Sequence, residues 1–269
     1  MKNIKWEYPG QIEEVLDLIK DDKTILHGGG NHLVSKELKD GSRIVHLGKL
    51  PLIYVRRHDG SIKIGSLTDY NSIAEQLNEI EPGHILAKSL GQAATMPIRN
   101  RITIGGSLSL APNWSDLIGP LVALEAKVKL EGAKSGVYKV VDYLNNKNLQ
   151  LQTLITEVMI PDTSLESWYY REGVTKSDHP GFTITILAKR EENFLEDIAI
   201  AITGHTKRYM RATAIEEQLK GKDIDRMDLD DIAKGLDIKF VSAKGMSSDY
   251  VKHLAETQIE RGLIELLKS

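Results

Sequence analysis

The sequence predicts an α+β protein in two parts, and three observations carry that expectation. Up to about residue 160, short apolar runs of strand character alternate with stretches of helical periodicity. Beyond about residue 163, strands come first and helices last, the order of a separate α+β unit. No low-complexity tract, repeat or long linker separates the two patterns.

In chain order, residues 11–20 set Ile12, Val15, Leu16 and Ile19 on one helical face. Residues 24–26 read as a short buried strand, cut by the run Gly28-Gly29-Gly30. Residues 42–47 and 61–66 read as further strands, and residues 69–80 and 83–94 as helices. A second strand with a glycine turn is expected at Ile102-Thr103-Ile104-Gly105-Gly106-Ser107. The next helix begins near Ser115-Asp116, where either residue is a good N-cap. Residues 151–160 form a strand ended by Pro161, and 181–189 with 195–203 a meander. Three helices are expected last, over 210–219, 227–236 and 247–268. The last of these carries Val251, Leu254, Ile259, Leu263 and Leu267 as a broad apolar stripe.

Composition excludes several classes. The 269 residues are 41% hydrophobic, 27% charged and 6% aromatic, an ordinary globular profile. A formal charge of −3 gives no global basic field to attract nucleic acid or an acidic membrane. Lys36, Lys39, Lys49, Arg56 and Arg57 make the first half locally basic, with little aromatic surface to stack bases. No apolar run approaches the roughly 18–20 residues that span a bilayer. The opening residues lack a signal-peptide core, so a cytoplasmic protein is expected. The chain contains no cysteine, which removes disulfides, a thiol nucleophile, cysteine-ligated zinc and any iron–sulfur cluster on its own thiolates. Redox chemistry here would need a bound organic cofactor.

Two segments carry the chemistry. His27-Gly28-Gly29-Gly30-Asn31-His32 follows a strand, and its glycines let the backbone approach an anion closely. The G-x-G-x-x-G and P-loop spacings are both absent, so the glycines alone also fit a turn without a ligand. His27 and His32, five apart in a loop with no third ligand in register, read as ordinary loop histidines, and no metal site is expected. The second segment is Thr103-Ile104-Gly105-Gly106-Ser107, with Asp116 nine residues beyond it. Two glycine loops with a downstream acid suit a dinucleotide: amides on the pyrophosphate, the carboxylate on hydroxyls. For Asp116 alone a helix cap is the commoner role. There is no G-x-S-x-G elbow, and the pairs Glu13-Glu14, Asp21-Asp22 and Asp230-Asp231 read as solvated faces.

With these residues in view, the chain resembles the FAD-binding medium subunit of the molybdenum hydroxylases, the carbon monoxide dehydrogenase and xanthine dehydrogenase type. Gly28 through Leu33 is similar to the family's A/G-G-G-x-S-L loop, and Arg99 through Ser107 to its R-N-R-x-T-I-G-G-S/N/D loop. Leu154 through Pro161 resembles the L-L-T-E-V-x-I/V-P strand. Arg211-Ala212 with Glu216 and Leu219-Lys220-Gly221-Lys222 resembles the R-A-x-x-x-E-x-x-L-x-G-K/R stretch, and Tyr250 through Ala255 the Y-R-x-x-L-A helix.

The resemblance implies an FAD-binding domain of the PCMH type over 1–163, with subdomains of about 1–57 and 58–163. A C-terminal domain over 164–269, with a three-stranded sheet and a helical bundle, would follow. It implies non-covalent FAD held by His27, Gly28, Gly29, Gly30, Asn31 and His32 and by Thr103, Ile104, Gly105, Gly106 and Ser107. Asp116 would meet ribityl or ribose hydroxyls, with Ile155 and Arg171 near the flavin. His27 and His32 depart from the family's apolar residue and its serine or aspartate, and Ile102 from its small residue; none of these removes an amide. Further implied are an iron–sulfur small subunit with two [2Fe–2S] clusters, a large subunit with the molybdenum cofactor, and an external electron acceptor, with no general base or nucleophile in this chain. Two alternatives stand beside it: a free-standing flavin-dependent NAD(P)H oxidoreductase, and a non-catalytic assembly module of the same fold.

Overall fold

The computed structural model describes residues 3–35, 37–240 and 246–268; Lys36 lies outside them. The chain divides into two compact units. The first comprises Met1–Gln76, Thr95–Leu110 and Glu125–Asp162, and the second Leu77–Ala94, Ala111–Leu124 and Thr163–Ser269. Helix α2 (Tyr70–Ile80) crosses the division.

The first unit holds two sheets. Strands β1 (Lys5–Glu7), β2 (Thr24–His27) and β3 (Arg43–His46) form a parallel sheet in the order β1-β3-β2. Helix α1 (Ile12–Leu18) starts from a capping box between Gln11 and Glu14. Its Val15 packs with Val45, Leu47, Leu50, Leu52, Leu67 and Leu154 into a small core, and a single 3₁₀ turn, Leu33–Ser35, follows the β2 glycines.

The second sheet is antiparallel throughout. It consists of β4 (Val55–His58), β5 (Ser61–Gly65), β6 (Lys127–Gly132), β7 (Gly136–Lys139) and β8 (Thr153–Pro161), in the order β4-β5-β8-β6-β7. Ile62, Ile64, Val128, Leu130, Val158 and Ile160 are buried on its inner face, as strict alternation dictates. A bulge leaves Thr156 unpaired between Glu157, opposite Lys129, and Ile155, opposite Leu130. Thr156 then offers its carbonyl to the Ser66 amide, outside the ladder. Helices α4 (Met96–Arg99), α5 (Ile104–Leu110) and α7 (Val140–Asn145) and a 3₁₀ turn at Lys147–Leu149 complete the unit.

In the second unit β9 (Glu166–Glu172), β10 (Phe182–Glu191), β11 (Phe194–Thr203) and β12 (Met210–Arg211) form an antiparallel sheet in the order β12-β11-β10-β9. Both faces of β10 are buried. Phe182, Ile184 and Ile186 join α8 (Thr213–Leu219) and α9 (Ser248–Leu267) in one apolar core. Thr183 and Thr185 face the other way, against α6 (Ile118–Ala123), whose Gly119 lies so close that a Cβ there would stand 3.0 Å from Thr185 Oγ1. Helix α3 (Ile85–Gln92) also belongs to this unit.

Three expectations change. The sheet has a fourth strand, because Met210 and Arg211 pair with Ile202 and Ala201 before α8 begins at Thr213. Residues 227–236 form turns rather than a helix, although Met227, Leu229 and Ala233 enter the core. Asp228 turns its carboxylate back onto the Asp230 amide, and Asp231 adopts φ +57°, local geometries that compete with a helix. Residues 102–107 are not a strand and turn: Gly105 and Gly106 lie in the first turn of α5.

The motif around Arg211 is a clasp. Arg211 Nε and Nη2 donate to both oxygens of Glu216 at 2.8 and 2.9 Å, and Glu216 also accepts from the Ile200 amide. The bidentate pair ties α8 to β11 and β12. Among the described residues no helix is long and apolar enough to cross a membrane.

Candidate functional site

Within the first unit the two glycine segments pack on each other. A side chain at Gly29 would collide with the carbonyl oxygen of Arg101, and a Cβ at Gly28 would stand 3.0 Å from Thr103 Oγ1. Arg101 Nη2 donates to the Gly29 carbonyl at 3.3 Å, and Asn31 Nδ2 to the Ile98 carbonyl at 3.4 Å. Gly30 has φ +80°, where an L side chain is strained, and a Cβ there would press on the His27 ring. These bonds use carbonyls or a side chain of the loop. Among the described residues none accepts from the amides of Gly28, Gly29 or Gly30.

The second segment spends its amides differently. Ile104 donates to the Thr68 carbonyl, Gly105 to Ser66 and Ser107 to Thr103, while Gly106 reaches Thr103 Oγ1 at 3.2 Å. The backbone amides expected to hold an anion at 104 and 105 are therefore committed to the chain. Gly106 is exposed and Ser107 half-buried, so the accessible groups are the Gly106 backbone and the Ser107 hydroxyl. Gly105 needs to be glycine for another reason: a Cβ would lie 2.8 Å from Ser66 Cβ. Ile155 is buried on β8 beside the bulge.

His27 ends β2, with its ring stacked on His46 at 5.0 Å and edge-on to Trp6 at 5.5 Å. Burial, and then the neighbouring His46, hold its pKa below the ordinary value. Its ring partner is thus on β3, while His32 is exposed on the loop. Among the described residues no three metal-ligating side chains cluster.

Asp116 lies in the second unit, just before α6, whose N-cap position is Leu117; Ser115, not Asp116, serves the entering amides, its Oγ accepting from Leu117 and Ile118. The side chain of Asp116 is buried, and its Oδ1 accepts from Tyr169 Oη at 2.9 Å and Arg171 Nε at 2.8 Å. Burial raises the Asp116 carboxyl above the usual range, against the pull of Arg171 and Tyr169. Arg171 also donates through Nη1 to the Lys176 carbonyl at 3.5 Å and through Nη2 to that of Asp178. Its side chain is 6% exposed, so its guanidinium braces the segment after β9 rather than standing open. On that segment His179 stacks on Trp114 at 3.6 Å. Tyr169 escaped the sequence reading, although strand alternation puts residues 169 and 171 on one face.

Within the first unit the donor set suits an anion: among the described residues nothing accepts from the amides of Gly28, Gly29 and Gly30, and the Ser107 hydroxyl lies beside the exposed Gly106.

Comparison with known proteins gives this chemistry a family. Residues 2–163 match the family described as FAD binding domain in molybdopterin dehydrogenase, and residues 175–266 the CO dehydrogenase flavoprotein C-terminal domain. The chain is 25% identical to the glyceraldehyde dehydrogenase medium chain of Sulfolobus acidocaldarius, over 95% of this chain and 92% of that one. It is 23% identical to the nicotine 6-hydroxylase medium subunit of Paenarthrobacter nicotinovorans, over 97% and 96%. Among solved structures it shares the fold of carbon monoxide dehydrogenase from Hydrogenophaga pseudoflava, with TM-score 0.89 at 19% identity over 98% of this chain and 97% of that one. Quinoline 2-oxidoreductase from Pseudomonas putida 86 gives 0.87 at 19% over 100% and 99%. The chain belongs to the FAD-binding medium subunits of the molybdenum hydroxylase family, the flavoprotein component of an oxidoreductase.

Proposed function

We propose that this subunit binds FAD non-covalently in the cytoplasm. It would carry electrons from the [2Fe–2S] clusters of a small partner subunit to an external acceptor, while a large subunit with the molybdenum cofactor oxidises the substrate. One observation carries the reading: the packing of the two glycine segments, Gly28 on Thr103 and Gly29 on Arg101, which leaves the first loop's amides unengaged. In this reading residues 1–163 form the FAD-binding domain and 164–269 the C-terminal domain. The amides of Gly28, Gly29 and Gly30, with Asn31 and His32 beside them, hold the diphosphate. Thr103, Gly106 and Ser107 contribute hydroxyls and an open backbone. Ile104 and Gly105 shape the turn through their bonds to Thr68 and Ser66. Asp116 offers its Oδ2 to sugar-chain hydroxyls, Oδ1 being held by Tyr169 and Arg171. Ile155 supplies backbone beside the ring, and Arg171 acts through Asp116.

Bound flavin supplies the step that joins one-electron donors to a two-electron acceptor. The chain's own work is to position and shield it. A visible absorption spectrum of the purified chain, before and after adding FAD, tests the reading: two flavin bands that survive desalting are expected. They should disappear in Gly106→Trp. A folded chain that takes up no flavin, alone or with its partner subunits, selects the assembly-module alternative.

A further inference from the structure

The outer face of the five-stranded sheet carries a row of cations. Arg56 on β4 is opposite Lys63 on β5, Lys63 opposite Met159 on β8, Met159 opposite Lys127 on β6, and Lys127 opposite Lys139 on β7. Directly paired residues share a face, so one line across the sheet reads Arg–Lys–Met–Lys–Lys. Lys129, two residues along β6, extends the same face with Val137 opposite it. Arg56, Lys127, Lys129 and Lys139 are exposed, as is Val137, and Met159 is half-buried. Three carboxylates stand among them. Glu157, 10% exposed beneath Tyr54 and Arg56, lies 3.6 Å from Arg56; Glu131 pairs with Lys129, and Glu125 with Lys139. Among the described residues neither Lys63 nor Lys127 has a carboxylate within salt-bridge distance.

Like charges directly opposite on adjacent strands are destabilising. This face carries two such pairs, Arg56–Lys63 and Lys127–Lys139, in a chain whose overall charge is −3. Fold stability gives no reason for that arrangement, whereas a negatively charged partner does. Met159 puts an apolar side chain at the centre of the row, with Lys63 and Lys127 on either side of it. An apolar centre with a polar rim is the layout of a protein interface, and the charge of this rim selects an acidic partner. Tyr54 is half-buried and its ring is covered by Arg56 at 4.5 Å, so it gives bases no open stacking platform, and a membrane face would need exposed tryptophan or phenylalanine.

We propose that the outer face of this sheet, centred on Met159 and flanked by Arg56, Lys63, Lys127 and Lys139, docks an acidic protein surface. The inference rests on the reading that the chain works in a complex, but it needs no bound flavin. The test therefore separates the two. Full-length chain is titrated into fluorescently labelled poly-L-glutamate of about 50 residues, and anisotropy is read from 25 to 300 mM salt, since charge-driven binding falls with ionic strength. The variant Lys63→Glu/Lys127→Glu/Lys139→Glu should bind at least tenfold more weakly, with a flatter salt dependence. Lys127→Gln alone should lose about two- to threefold. Lys234→Glu/Lys252→Glu, on the second unit, should bind as the parent does. Circular dichroism and FAD uptake should match the parent in every variant. Equal affinity of parent and triple variant overturns the proposal, as does an absence of binding. So does tighter binding of an oligothymidylate of equal charge, or of phosphatidylglycerol vesicles, because either makes the face a site for a different anion. Loss of FAD uptake in the parent would refute the flavin reading and leave this one standing.

Discussion

Asp116 combines a buried ion pair with a proposed place at the cofactor, and the two demands are separable. Its Oδ1 is the shared acceptor for Arg171 and Tyr169, and the side chains of Asp116 and Arg171 are 8% and 6% exposed. Asp116→Ala leaves a buried guanidinium without its anion and a tyrosine hydroxyl without its acceptor. Breaking a buried pair on one side costs about 3–5 kcal/mol, and the orphaned hydroxyl is part of the same deficit because one oxygen serves both donors. A loss of about 4 kcal/mol is expected. With a urea m-value of about 2 kcal/mol/M, that lowers the unfolding midpoint by about 2 M. Asp116→Asn keeps an acceptor in place and should lose about half as much.

Removing both charges tests the logic. Asp116→Leu/Arg171→Met replaces the pair with apolar volume and should recover more than about 2 kcal/mol of the summed single losses. Trp114 and Trp168 both lie in the second unit and report its unfolding by fluorescence. Flavin affinity is read in parallel. Asp116→Asn should weaken FAD by more than tenfold while the unit stays folded, because only the carboxylate offers a second anionic acceptor. A midpoint shift under about 0.5 M in Asp116→Ala would refute the buried-pair account. Unchanged FAD affinity in Asp116→Asn would remove the residue from the cofactor site.

Three further outcomes follow from the first unit. Gly29→Ala forces a Cβ into the Arg101 carbonyl, so it should abolish FAD uptake and cost about 1–3 kcal/mol; Gly10→Ala, with nothing within 4 Å, should change neither, and a Gly29→Ala chain with normal flavin bands would break the loop-packing argument. Burial, and then its hydrogen bond to Glu157, push the Tyr54 pKa up to about 12, so the native chain keeps a proton that the unfolded chain loses near 10, and stability falls between about pH 10 and 12. Tyrosinate absorbance at 295 nm should show a late step near 12 that Tyr54→Phe deletes; a Tyr54→Phe curve identical to the parent's would contradict it. Burial and His46 depress the His27 pKa, so its contribution is present above about 6.5 and is lost as pH falls through the lower folded value. The melting temperature should decline from pH 7 to 5, less steeply in His27→Leu, and parallel slopes would rule His27 out as the cause.

The sequence made some of this visible and hid the rest for definable reasons. Helical periodicity found α1, α2, α3 and α9, because each buries one stripe over two turns or more. The same periodicity misled over 227–236, where apolar residues reach the core from turns closed by aspartate side chains. Strands β6 and β7 went unread although Val128 and Leu130 alternate with lysines, since short strands with a charged outer face resemble charged loops. The four-residue α4 and six-residue α7 are set by tertiary packing more than by pattern.

The glycine segments show most clearly what a pattern conveys. Their positions were legible, but their reasons were not. At Gly29 and Gly105 a missing Cβ lets backbone meet backbone or side chain inside the unit, and at Gly30 the demand is a positive φ. Of the glycines in these two segments, Gly106 is the exposed one, and its Cβ would meet only Thr103 Oγ1. Two loops of similar composition therefore do different work. Among the described residues nothing accepts from the glycine amides of the first, whereas the second spends the amides of Ile104 and Gly105 fixing the turn. A glycine-to-alanine series across both loops should accordingly split. Gly29 and Gly105 variants should lose fold and flavin together, whereas Gly106→Ala, whose Cβ would press only on the Thr103 hydroxyl at 2.9 Å, should lower flavin affinity with a smaller loss of unfolding midpoint.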